Sequence, residues 1–201
     1  MTGVQALERV APDHPTAPGL ERLIEYEYIR HGTLAFIVSF NVSLGGILYV
    51  TADPTRTEED YVAHVRQMVA AHPEIKRWHL VVDNLNIHCS EALVRYVAAE
   101  SDLDIDLGVK GKSGTLASMK TRTEFLSNHE HRIVFYYTPK HASWMNQVEI
   151  WFSILARKLL RKGNFLSLDD LRTKVLAFID YYNRTMAKPF KWTYAGKALS
   201  V

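Results

Sequence analysis

Residues 78–88 read WHLVVDNLNIH. The first five, WHLVV, form a short, largely apolar run with polar chain on either side, the pattern of a strand buried on both faces. Such a strand belongs in a parallel or mixed sheet covered by helices. Asp83 stands at its C-terminal end, with Asn84 and His88 close behind. Ligands of open α/β sheets bind beyond the carboxyl ends of strands, which gives Asp83 a functional reading. A second reading stands beside it, because Asp at a strand exit commonly caps the loop that follows.

Before this strand, residues 58–71 (EEDYVAHVRQMVAA) set Tyr61, Val62, Val65, Met68 and Val69 on one helical stripe, with Thr57 placed to cap it. Residues 34–42 (LAFIVSFNV) and 47–51 are rich in β-branched and aromatic types and flank Gly45-Gly46, so they read as a β-hairpin. After the strand, residues 91–99 have helical spacing. Residues 101–131 form an irregular insertion with a short helix expected over 116–126. Residues 132–138 (RIVFYYT) read as another strand. A helix is expected from 144 to about 162, capped by Ser143 and stopped by Gly163, and a last one over 168–184 with Asp169 and Asp170 in its first turn. This order predicts one α/β domain over 1–201, a mixed sheet flanked by helices.

Composition narrows the function classes. The chain has 201 residues, 47% hydrophobic and 23% charged, enough to bury a core. No run approaches the roughly 18 apolar residues of a membrane span, and MTGVQALERV lacks the order of a signal peptide, so a cytoplasmic protein is expected. The single cysteine, Cys89, can form neither an internal disulfide nor a zinc knuckle. The GKS at residues 111–113 lacks the upstream glycine of a phosphate-binding loop, since that position is Asp106, and no GxSxG, HExxH or CxxC pattern occurs.

The second constellation is YYTPKHASWMNQVEIWFSILARKLLRKG, residues 136–163. Here a strand ends, a Pro-containing loop turns, and Glu149 falls early in a helix whose apolar stripe is Val148, Trp151, Phe152, Leu155 and Leu159. Glu149 borders that stripe, from where its carboxylate can reach a sheet end and share Mg²⁺ with another oxygen ligand. An exposed first-turn Glu favoured by the helix dipole is the other reading.

Charge is distributed unevenly along the chain. Net charge is +2, but from residue 151 onward ten Lys or Arg face three Asp. Arg157, Lys158, Arg161 and Lys162 are candidates to bind backbone phosphates, as are Lys110 and Lys112, with Lys120 and Arg122, in the insertion. Solvated faces would show the same residues.

Taken together, TGVQALER, EYIRHGT, PTRTEEDYVAHV, VVDNLNIH, GVKGKSG and above all the block at 136–163 resemble the DDE transposases of the insertion-sequence six-thirty family, relatives of the mariner elements. The resemblance implies a ribonuclease H-like fold, three carboxylates holding two Mg²⁺ or Mn²⁺ ions, and DNA ends and target DNA as partners. It places Asp83 at the family's second aspartate, Glu149 at its final glutamate, and Asn146 at the asparagine three residues earlier. In that family TGVQALER follows a strand ending in Asp-Glu, whose Asp is the first ligand. The chain is therefore expected to lack that ligand and the first, central strand, and also the upstream helix-turn-helix. Three readings follow for it: an inactive remnant, a mis-assigned start of a complete enzyme, or a non-enzymatic fragment that binds DNA, forms homo-oligomers or inhibits an intact transposase.

Overall fold

The computed structural model describes residues 2–11, 27–139 and 146–189. Strand β1 (Thr2–Arg9) pairs antiparallel with β2 (Tyr28–Asn41), from Thr2 opposite Phe36 to Arg9 opposite Tyr28. On its other edge β2 pairs antiparallel with β3 (Gly46–Asp53), the expected hairpin. Gly45 makes its turn at φ 70°, and an added Cβ there would lie 1.8 Å from the Lys188 carbonyl oxygen, so only glycine fits. β1 is an element that the sequence reading did not contain. Its alternation is short: Val4 and Ala6 are buried while Gly3 and Gln5 are exposed.

Helix α1 (Glu58–Ala71) begins where expected. Thr57 Oγ1 accepts from the Asp60 N–H and the Asp60 carboxylate accepts from the Thr57 N–H, a reciprocal cap. Tyr61, Val62, Val65, Met68 and Val69 are its buried stripe. The helix leads to β4 (Trp78–Val82), followed by a 3₁₀ turn (Asn86–Cys89) and α2 (Glu91–Glu100). The insertion holds a 3₁₀ turn (Gly114–Ala117) and α3 (Met119–Leu126) before β5 (Ile133–Tyr137), which pairs parallel with β4. α4 (Val148–Leu155) and α5 (Leu168–Thr185) complete the described elements.

The fold is mixed α/β, but the described strands form two sheets, β1-β2-β3 and β4-β5, where a single mixed sheet was expected. Two cores hold the layers together. Ile37 of β2, the α1 stripe, Trp78, Val82, Leu93, Val97, Ile133 and Phe135 make the first. The opposite face of β2 (Leu34, Phe36), with Val4, Ala6, Trp151, Leu155, Leu171 and Val175, makes the second. The three-stranded sheet is thus covered on both faces, α1 on one and α4 with α5 on the other. No described helix is long and apolar enough to cross a membrane.

One helix departs from expectation. Ser143 and Trp144 lie outside the described residues, and after Leu155 the backbone changes to a π-helical turn, Ala156–Leu160, with the Arg161 N–H donating to the Ala156 carbonyl at 2.9 Å. The extra residue per turn re-aims the side chains that follow. Hydrophobic spacing could not reveal it, because Leu155, Leu159 and Leu160 fit either winding at this length.

Candidate functional site

Asp83 leaves the end of β4, and its carboxylate is held by two groups. Its Oδ1 lies 2.7 Å from His88 Nδ1, a contact in which the ring N–H donates, and also accepts from the Leu85 N–H at 3.2 Å. The His88 ring is buried, 4.5 Å from the ring of Tyr61, and the Tyr137 hydroxyl donates to the His88 carbonyl at 2.7 Å. The hydrogen bond from His88 outweighs the effect of partial burial, and the Asp83 carboxyl is held below the ordinary carboxylate range. The capping reading of Asp83 therefore holds, and the same contacts fix its carboxylate, held in its ionised form, at the strand end.

Asn84 turns away from this carboxylate. Its Nδ2 donates to the Thr138 carbonyl at 2.6 Å and ties the exit of β4 to the exit of β5. Across the cleft, Asn146 starts the turn into α4. Its carbonyl accepts from the Glu149 N–H at 3.0 Å, and its Oδ1 is 3.5 Å from the Val148 nitrogen. Val148, Trp151 and Leu155 are buried and fix the helix, leaving Glu149 exposed in its first turn.

Asp83 and Glu149 line the same cavity. A cavity of about 420 Å³ is lined by Asp83, His88, Asn146 and Glu149, by residues 37–43 and 77–82, and by Tyr61, His64, Val65 and Met68 of α1. Its donor set, carboxylate and amide oxygens, fits a hard divalent cation. Among the described residues no group of three or more His, Cys, Asp or Glu gathers as a metal site.

The proposed DNA-contacting residues lie elsewhere and divide into two sets. Arg157, Lys158, Arg161 and Lys162 are all exposed, in and just beyond the π-helical turn. They begin about 12 Å along the helix from Glu149. Lys110 is less free, with Nζ 3.8 Å from Glu58 and 4.0 Å from Glu91, while Lys112 is exposed. Arg122 is a correction: it donates to the carbonyls of Cys89 and Leu116 at 2.8 and 3.2 Å and pins the insertion to the 3₁₀ turn after Asp83. The GVKGKSG loop also spends its N–H groups internally, Val109 on Ser113 and Gly111 on Leu116, which leaves no phosphate cradle there.

Sequence reasoning missed three cavity residues. His64 is buried between the hydroxyls of Ser39 (2.8 Å) and Thr51 (3.0 Å), and burial pushes its imidazole down to about 4. Trp78 Nε1 and Gln147 Nε2 are buried with no hydrogen-bond partner among the described residues. The histidine at the inner edge of the α1 stripe was the available signal for the first. The other two depend on what faces them across the cavity.

The family model described as DDE superfamily endonuclease matches residues 2–172. No curated protein and no solved structure matches the chain.

Proposed function

The chain belongs to the DDE superfamily endonucleases, and on that premise we propose that Asp83 and Glu149 are two ligands of a divalent-metal site for phosphodiester chemistry on DNA, in the manner of an insertion-sequence transposase. The observation that carries this reading is the shared cavity: carboxylates 66 positions apart in sequence line one cleft at the end of β4. Mg²⁺ or Mn²⁺ bound there would supply activation of the attacking hydroxyl and stabilisation of the leaving oxygen. The protein's part is positional. His88 keeps Asp83 ionised and fixed in rotation, Asn146 sets the first turn that presents Glu149, and Asn84 locks the strand ends beneath them.

A second reading, DNA binding without cleavage, is favoured by the exposed Arg157, Lys158, Arg161 and Lys162. Mn²⁺ binding, followed by the paramagnetic signal of the free ion, separates the two. Occupancy that is lost in both Asp83→Asn and Glu149→Gln supports the metal site. Occupancy unchanged in both removes it and leaves the DNA-binding reading, which salt-dependent retention of duplex DNA then tests.

A further inference from the structure

Trp78, Val82, Ile133 and Phe135 turn one face of the β4–β5 pair to the first core. Strand alternation puts His79, Val81 and Tyr136 on the other face. Val81 lies opposite Tyr136 in the register, so His79 is the diagonal neighbour of that tyrosine, within reach of a long aromatic side chain. His79 Nδ1 lies 3.0 Å from the Tyr136 hydroxyl, and His129 Nδ1 lies 3.4 Å from the same oxygen. The two imidazole centroids are each 5.7 Å from the phenol ring.

His129 is brought there by the turn that precedes β5. The His131 N–H donates to the Asn128 carbonyl at 3.2 Å and the Glu130 N–H to Asn128 Oδ1 at 3.0 Å, which fixes the chain on either side of it. Among the described histidines this pair stands apart. His31, His72 and His88 each face a carboxylate, and His64 and His131 are buried. His79 and His129 are both exposed and share one partner. The single Tyr136 hydroxyl proton can satisfy one imidazole lone pair, so the second nitrogen must bring its own proton to the contact.

We propose that His79, His129 and Tyr136 form a second metal site, for a late divalent transition ion of the Cu²⁺ or Zn²⁺ class. Its chemistry differs from that of the carboxylate site, because imidazole and phenolate donors favour such ions over Mg²⁺. The spacing fits. Bonds of about 2.1 Å set adjacent ligands about 3.4 Å apart at a tetrahedral ion and about 3.0 Å apart at a square-planar one. The two observed contacts to the Tyr136 oxygen have these lengths. Coordination through both Nδ1 atoms leaves each ring proton on Nε2, and the hydroxyl proton of Tyr136 passes to solvent as the metal–oxygen bond forms. Water completes the shell at this exposed position. The bound ion ties the turn before β5 to β4, and binding only the folded chain stabilises it.

The test adds one equivalent of Cu²⁺ to the protein with Mg²⁺ in large excess to compete at hard oxygen sites. Electron spin-echo modulation counts the imidazoles on the ion, and visible absorption reports the copper–phenolate charge-transfer band. The expected result is two imidazoles and the band. Tyr136→Phe should lose the band and keep both imidazoles. His79→Gln and His129→Gln should each keep one imidazole and bind Cu²⁺ on the order of tenfold more weakly. Absence of the band in the unmutated protein, or unchanged affinity in either histidine variant, overturns the proposal. If a variant fails to fold, amide NMR of the unmutated protein decides with substoichiometric Cu²⁺. Broadening that begins at residues 79, 129 and 136 supports the site, and broadening that begins elsewhere overturns it. The band should persist in Asp83→Asn, so failure here is distinct from failure of the Asp83–Glu149 assignment.

Discussion

His88 Nδ1 lies 2.7 Å from Asp83 Oδ1, and residues 83–88 close this ring between the end of β4 and the 3₁₀ turn. The contact is the largest cause holding the Asp83 carboxyl low. In His88→Phe the carboxyl keeps only the Leu85 N–H, and its titration midpoint, followed by carboxyl carbon NMR, should move up. A midpoint at or below that of the unmutated protein would remove His88 as the cause.

His64 supplies a pH dependence of its own. Burial disfavours its charged form and pushes it down to about 4, while an unfolded chain protonates near the ordinary 6.5. Between those values the unfolded state binds a proton that the folded state does not, so stability falls as pH drops through that window and levels off below it. The loss is on the order of 3 kcal/mol. Urea unfolding at pH 7 and pH 4.5 measures it, and His64→Gln should remove most of the difference between the two.

The cap of α1 makes a simpler stability prediction. Thr57→Ala removes the hydroxyl that accepts from the Asp60 N–H at 3.3 Å, while the backbone N–H of residue 57 still donates to the Asp60 carboxylate. Denaturant titration should show a loss of about 1 kcal/mol. No change would mean that the packed stripe of α1 alone sets the helix start.

Much of this molecule was legible in its sequence where a local pattern decides the outcome. The α1 stripe with Thr57, the hairpin about Gly45-Gly46 and the apolar run ending at Asp83 all rest on spacing, capping or turn chemistry within a few residues. What was not legible depends on distant partners. β1 is a strand because β2 pairs with it some 30 positions away, and alternation over Val4 and Ala6 was too brief a signal. The π-helical turn at Ala156–Leu160 and the internal role of Arg122 are set by tertiary fit, which single-sequence periodicity does not encode. For the site, Asp83 and Glu149 were each readable as strand-end and helix-start carboxylates, but their common cavity appears only once the chain is folded.

The exposed basic residues of the π-helical turn and its C-terminal side carry a prediction about DNA. If Arg157, Lys158, Arg161 and Lys162 contact phosphates, binding to duplex DNA falls steeply with salt and depends little on sequence. Replacing all four by Ala should flatten the slope of log K against log salt by up to about 3 to 4, since each phosphate contact contributes roughly 0.9. A slope unchanged in the quadruple variant assigns these residues to solvent.

The central claim is that Asp83 and Glu149 hold the same divalent ion, and iron-directed backbone cleavage tests it most directly. Fe²⁺ in place of Mg²⁺, with ascorbate and peroxide, cuts the polypeptide within a few ångströms of the bound ion, and mass spectrometry maps the cuts. The account predicts cuts near both residue 83 and residue 149 that disappear together in Asp83→Asn and together in Glu149→Gln, and that excess Mg²⁺ suppresses. Cuts confined to one of the two positions, or cuts at both that survive either substitution, would contradict it.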